Sequence, residues 1–199
     1  MQVERLVEEV VQALFVEVEA SGRHVHLTKE QIIQLFGHDL TPERPLSQPG
    51  QYLAKERVTV VGPKGRFERV AVLGPARKEA QVEISLTDGR VLGVLPPVRP
   101  SGKVEDSPGA VIIGPRGQIK LDRGVIAAQR HIHMTPKSAA RMGVRDGQTV
   151  KLKVYSARPV IFEDVLVRVS TDFETYAHLD HDEANACGLG KGELGRILS

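Results

Sequence analysis

Apolar residues at Val3, Leu6, Val7, Val10, Val11 and Leu14 recur at helical spacing, with Glu4, Arg5, Glu8 and Glu9 between them. This pattern predicts an amphipathic helix over residues 1–15, which either packs on its own domain or docks on a partner. Further along, the period changes. Short apolar runs at 58–61, 70–73 and 82–86 alternate with Gly62-Pro63-Lys64-Gly65, Gly74-Pro75 and Asp88-Gly89, the pattern of strands joined by tight turns. Residues 96–109, proline-rich and broken at Ser101-Gly102, read as a linker. Strand signals resume at 111–113, 150–155 and 165–169. Strands at this spacing, without long crossover helices, predict a mainly β chain of small barrels or a sandwich rather than a doubly wound sheet. The expected division is a helix at 1–15, a first half at 16–95, a linker at 96–109 and a second half at 110–199.

The two halves share one motif. Arg23-His24-Val25-His26-Leu27-Thr28 is followed by Ile32, Ile33, Leu35 and Phe36, and Arg130-His131-Ile132-His133-Met134-Thr135 by Ala139, Ala140 and Met142. Both threonines suit a helix N-cap. Thr28 with Gln31 fits a capping box, and Pro136 occupies the first helical position, where proline is tolerated. Each copy predicts a strand bearing two histidines that runs directly into a short helix. The duplication implies a pseudo-symmetric pair of domains with short helices beside the strands.

Composition narrows the function classes. The chain has 199 residues, enough for one domain or two small ones. Its 27 basic and 25 acidic residues are interspersed, and three Tyr and five Phe are too sparse for base stacking, so nucleic acid is not an expected partner. One cysteine leaves no internal disulfide. No apolar run reaches the roughly 18–20 residues that span a bilayer. The first residues mix both charge signs where a cleavable signal needs basic and then apolar residues. The expectation is a soluble, cytoplasmic protein.

Residues two apart on an extended segment share a face, so His24 with His26, and His131 with His133, each present two imidazoles together. Neutral imidazole is the commonest ligand for zinc and neighbouring transition metals. A third cluster, from His178 to Ala186, offers His178, Asp180 and His181 as ligands, or a helix start capped by Asp180 or Asp182 with Ala184 and Ala186 packed behind it. A carboxylate for the site is available from Glu79 or Glu83, the latter on the polar side of a strand whose Val82 and Ile84 face the core. Arg77 and Lys78 are either a solvated pair or a clamp for an anion, arginine suiting phosphate through its planar fork. Cys187 reads as a small buried hydrophobe. No glycine-rich phosphate loop is present.

Taken in order, several segments carry a resemblance: Arg23-His24-Val25-His26-Leu27, Gly74-Pro75-x-Arg77, Gln81-Val82-Glu83, Arg99-Pro100-Ser101-Gly102, Arg130-His131-Ile132-His133-Met134, and His178-x-Asp180-x-Asp182-Glu183-Ala184-Asn185-Ala186. On them the chain resembles the propanediol-utilisation type of phosphate acyltransferase, over about residues 16–186. The resemblance implies two small β-barrel domains around a dinuclear zinc site. It also implies transfer of a short acyl group, such as propanoyl or acetyl, between coenzyme A and phosphate. Matched motif by motif, His24, His26 and Glu83 look like ligands of one zinc, and His131, His133 and His178 of the other. Arg77 is similar to the family's phosphate-binding arginine. The substrates it implies are acyl-CoA and phosphate.

Members occur free and inside bacterial microcompartments, where an N-terminal helix is the usual address. Docking of the 1–15 helix on microcompartment proteins, and a homo-oligomer, are expectations that the sequence leaves open. Glu19-Ala20-Ser21-Gly22, Tyr176-Ala177 and His181 depart from the family's pattern. Two other readings stand beside the acyltransferase: a dinuclear metal hydrolase of thioesters or phosphoesters, and a non-catalytic metal-binding interaction module.

Overall fold

Strand and helix follow the hydrophobic pattern from the first residue described. A computed structural model describes residues 2–198. The order begins α1 (Gln2–Leu14), β1 (Val16–Ser21), β2 (His24–His26), α2 (Lys29–Phe36), β3 (Pro42–Pro45), β4 (Tyr52–Val61), β5 (Arg66–Gly74), β6 (Gln81–Glu83) and α3 (Leu86–Leu92). It continues with β7 (Val98–Arg99), β8 (Ala110–Gly114), β9 (Gly117–Leu121), β10 (Val125–Ala128), β11 (His131–Met134) and α4 (Pro136–Met142). It ends with β12 (Thr149–Tyr155), β13 (Val160–Val169), β14 (Tyr176–Asp180), α5 (His181–Cys187) and β15 (Leu194–Leu198).

Both helix starts expected after the histidine motifs form. Thr28 Oγ1 accepts from the Gln31 amide at 3.3 Å while the Gln31 side chain accepts from the Thr28 amide at 2.9 Å, a reciprocal capping box. Thr135 caps α4, with Pro136 in its first turn. The run 82–86, however, is not all strand. β6 stops at Glu83, and Ser85 with Asp88 forms a capping box that starts α3, so Asp88-Gly89 lies inside a helix. The Ser-x-x-Asp signal is local and outweighs the apolar run.

The described residues fall into two units, one comprising residues up to Ser21 together with those from Gln129 onward, the other Gly22–Ala128. In the first, β1, β14, β11, β13, β12 and β15 close a six-stranded barrel in that order. Its strands alternate: Val150, Leu152 and Val154 of β12, and Ala177 and Leu179 of β14, are buried in its core. In the second, a nine-stranded sheet runs β7, β10, β6, β2, β5, β4, β8, β9, with β3 on β4. Val25, Val58, Val60, Val70, Val72, Val82 and Ile112 form its core with Ile32, Leu35 and Phe36 of α2. Each such aliphatic side chain, fully buried, contributes about 1.5–3 kcal/mol. The chain is thus mainly β, with one closed barrel and one open sheet.

The observed division differs from boundaries at 16, 96 and 110. The strand before each histidine motif belongs to the other unit: β1 pairs with β14, and β10 pairs with β6 and β7. β8 and β9 extend the sheet of the second unit through β4. The stretch expected as a linker is built into that unit too, with Val104 and Ser107 buried and the Ser107 hydroxyl accepting from the Gly124 amide at 2.8 Å.

The duplication extends past the motif. β2 pairs in parallel with β5 and antiparallel with β6, and β11 pairs in parallel with β13 and antiparallel with β14. β5 and β13 each carry one non-glycine residue in the left-handed region, Arg69 (φ 56°) and Asp164 (φ 52°), beside a register shift. Both lie two residues before the partner of the first motif histidine, Ala71 and Leu166.

α1 leaves its apolar stripe in solvent. Val3, Leu6, Val7 and Val10 are 74%, 61%, 56% and 49% exposed, while Val11, Ala13 and Phe15 are half-buried. Phe15 meets the Tyr155 ring edge-on, with centroids 5.8 Å apart. Among the described residues no helix is long and apolar enough to cross a membrane.

Candidate functional site

The first cluster is built by strand alternation. Val25 and Val82 point into the core, so their neighbours His24, His26, Gln81 and Glu83 share the opposite face. Register then sets the partners: His24 lies opposite Glu83, and His26 opposite Gln81. All four are buried. The His24 and His26 rings stand nearly perpendicular with centroids 4.9 Å apart, and their Nε2 atoms lie 3.6 and 3.9 Å from Glu83 Oε1. His24 Nδ1 is 2.8 Å from the Gly22 carbonyl. A carbonyl only accepts, so Nδ1 carries the proton, and in the neutral ring Nε2 presents a lone pair towards Glu83.

Glu83 is a buried carboxylate held ionised. Burial works against the charge, but the neighbouring His24 and His26 imidazoles and the hydrogen bond from the Ser101 hydroxyl outweigh it and hold the carboxyl far below the usual range. For His24, burial likewise opposes charge, yet Glu83 raises its pKa above the ordinary value. Burial, with the neighbouring His24 and Arg77, keeps His26 well below its ordinary value and therefore neutral. The cluster concentrates negative charge among imidazoles, an arrangement that suits a cation.

The second cluster repeats the geometry in the barrel. Ile132 and Ala177 face the core, leaving His131, His133, Tyr176 and His178 on the other face. His131 lies opposite His178, the register position that Glu83 holds opposite His24. Ring centroids are 4.6 Å apart for His131 and His133, 5.1 Å for His131 and His178, and 5.0 Å for His133 and His178. The His131 Nδ1 donates to the Gln129 carbonyl at 2.8 Å, as His24 does to Gly22. Phe173 packs on His133 at 4.2 Å, and Glu19 Oε2 lies 3.8 Å from His178 Nδ1.

Both triads fit a metal. In each, one ligand atom from every residue lies within 4.8 Å of the others. Two His with one Glu, and three His, are donor sets that hold zinc with one position open to substrate. His26 Nδ1 is moreover a buried ring nitrogen without a hydrogen bond.

Arg77 stands next to the first triad. Its amide donates to the Leu27 carbonyl at 2.9 Å, its Nη1 donates to Ser101 Oγ at 3.2 Å, and with His26, Gln51 and Pro75 it lines an open cleft of about 260 Å³. Ser101 joins the parts. Its hydroxyl donates to Glu83 Oε1 at 2.7 Å and accepts from Gln81 Nε2 at 3.0 Å. Gln81 Nε2 also donates to Glu83 Oε1 at 2.5 Å, and its carbonyl oxygen accepts from the Gly102 amide. The contacts that Ser101 and Gln81 make around Glu83 are not readable from the sequence, although both residues belong to segments that carry the family resemblance. They depend on a contact across 18 to 20 positions.

The other candidates are elsewhere. Glu79 pairs with Arg123 at the surface, at 2.7 Å. Asp180 is the N-cap of α5, its Oδ1 accepting from the Glu183 amide at 2.8 Å, and His181 and Ala186 are exposed while Ala184 is buried. Cys187 is fully buried, as its small apolar surroundings imply.

The model of the phosphate propanoyltransferase family matches residues 17–190. A phosphate propanoyltransferase of Enterococcus faecalis is 53% identical over 201 residues, covering 97% of this chain and 95% of that protein. One from Clostridioides difficile is 52% identical over 198 residues, 98% and 95% of the two chains. One from Thermotoga maritima is 56% identical over 184 residues, 91% and 88%.

Proposed function

Because the chain belongs to the phosphate propanoyltransferase family and is a phosphate acyltransferase, we propose that it converts a short acyl-CoA and phosphate into acyl phosphate and free CoA at a dinuclear zinc site. One ion is held by His24, His26 and Glu83, the other by His131, His133 and His178. The observation that carries this reading is the repetition of one ligand geometry: two histidines on a strand, and a third ligand at the same register position on its antiparallel neighbour.

Bound zinc supplies a Lewis acid for the thioester carbonyl and a soft partner for the departing thiolate. The residues do the rest. Arg77, oriented by Ser101, presents its guanidinium to phosphate in the cleft beside His26. A phosphate oxygen attacks the carbonyl carbon, the carbon–sulfur bond breaks, and CoA leaves as the thiolate. Arg77 offsets the negative charge that builds during attack. Cys187 is buried in the barrel core, and the reaction runs by direct attack with no acyl-enzyme. The exposed apolar stripe of α1 supports docking on a partner, and we assign that partner to a bacterial microcompartment.

The test is CoA release from propanoyl-CoA and acetyl-CoA, with and without phosphate, on protein of measured metal content. The expected result is release that requires both phosphate and zinc. Release without phosphate would make the chain a thioester hydrolase, and release from fully metal-free protein would remove the zinc site from the reaction.

A further inference from the structure

The arginine that opens each histidine motif is neither a member of the triads nor part of the lining of the cleft beside Arg77, yet both copies make the same kind of long-range contact. Arg23 donates Nε to Asp88 Oδ2 at 3.0 Å and Nη2 to Asp88 Oδ1 at 2.7 Å, with its guanidinium 4.1 Å over the Phe67 ring. Arg130 donates Nη1 to Glu183 Oε1 at 2.9 Å and Nε to the Glu163 carbonyl at 2.6 Å. The two acidic partners are equivalent. Asp88 is the third helical residue of α3 and closes its capping box with Ser85; Glu183 is the third of α5 and closes its box with Asp180.

Position relative to the ligands is equivalent as well. Arg23 and Arg130 immediately precede the first ligands, His24 and His131. The caps Ser85 and Asp180 stand two residues after the third ligands, Glu83 and His178. Each ion pair therefore closes a loop from the first ligand through arginine, acid and cap to the third ligand, across a register pair that faces the ion. The remaining carboxylate oxygen is also engaged in the second copy, where Glu183 Oε2 accepts from the Asp180 amide at 3.0 Å. Groups that hold ligands in place without touching the metal set its affinity, and losing one typically weakens binding by about 10–100-fold.

We propose that Arg23 and Arg130 are positioning residues for the two metal triads, each fixing the spacing of its first and third ligands through the capping box of the following helix. The proposal rests on the zinc reading above. It assigns a task to the one part of the Arg-His-x-His repeat that the reaction leaves unused.

The test uses the full chain loaded with zinc, as wild type, Arg23→Gln, Arg130→Gln, Asp88→Asn, Glu183→Gln and the double variants Arg23→Gln/Arg130→Gln and Arg23→Gln/Asp88→Asn. Zinc per chain is measured after equilibration with increasing chelator, with near-UV circular dichroism and a thermal melt on the same samples. Each single variant is expected to release one of its two ions at about 10-fold or more lower chelator than wild type, and the double arginine variant to release both. Arg23→Gln combined with Asp88→Asn is expected to be no weaker than either alone, because both remove one contact. The acid variants retain an oxygen for their caps and so keep the measurement meaningful if an arginine variant folds poorly. Two ions held as firmly by folded Asp88→Asn and Glu183→Gln as by wild type overturns the proposal, whatever the melting temperature. A wild-type chain that binds no zinc overturns the metal reading itself.

Discussion

Replacing Ser101 by alanine is the sharpest test of how the site is wired. Its hydroxyl is bonded to Glu83, Gln81 and Arg77 at 2.7, 3.0 and 3.2 Å. Gln81 keeps its bond to Glu83 in the variant, so the losses fall on the carboxylate and on Arg77. A hydrogen bond to a charged group contributes about 1.5–3 kcal/mol. With about 1.4 kcal/mol to each factor of ten, the loss at Arg77 lowers kcat/KM for phosphate by roughly 10–100-fold. The loss at Glu83 weakens zinc retention at one of two sites, by about 10-fold. The same bonds support the fold, so the melting temperature of the metal-free protein falls as well, by about 2–4 °C for each kcal/mol lost. Steady-state CoA release at varied phosphate, with zinc counted per chain, reads both effects. Ser101→Thr, which keeps the hydroxyl, retains most of the activity. An alanine variant with wild-type dependence on phosphate and wild-type zinc retention refutes the reasoning.

Glu83→Gln removes the charge of the only carboxylate in the two triads. A unit charge pair at 4 Å is worth about 4 kcal/mol at an effective dielectric of 20, so zinc binding at that triad falls by roughly three orders of magnitude; metal analysis showing two retained ions contradicts this. Gly74→Ala places a Cβ 2.1 Å from Tyr52 Cζ. Such overpacking costs about 1–3 kcal/mol, read by denaturant titration and relieved in the Gly74→Ala/Tyr52→Ala pair. Thr28→Ala removes an N-cap and lowers stability by about 1 kcal/mol, and Thr28→Ser restores it. Deleting residues 1–14 removes no triad residue and leaves CoA release unchanged; a large loss of activity would tie α1 to the reaction.

Much of the site was legible before any fold was known. His24 and His26 share a face because strands alternate, and the apolar residues between and after them, Val25 and Leu27, say which face meets the hydrophobic core. Thr28, Gln31, Thr135 and Pro136 mark helix starts through contacts within four residues. The Ser85 cap carried the same kind of signal, but the apolar run 82–86 concealed it. The third ligands were harder. Residue type and spacing left Glu79 and Glu83 both open, and the family resemblance named Glu83; the pairing of β6 with β2 sets Glu83 opposite His24, while Glu79 turns to Arg123 at the surface.

By itself, the sequence determined what is local: the period of each segment, the caps, the turns, the two imidazoles on each strand and the duplication that relates them. These follow from backbone geometry over a few residues. Tertiary structure alone decided the rest. It sent β1 and β10 into the units opposite their motifs, turned the stretch expected as a linker into the carrier of Ser101, and joined Arg23 to Asp88 across 65 positions. Such contacts depend on strand register, which slips by one residue only at the cost of turning every buried side chain to the wrong face. No short-range pattern encodes that choice, because it is made by the core as a whole.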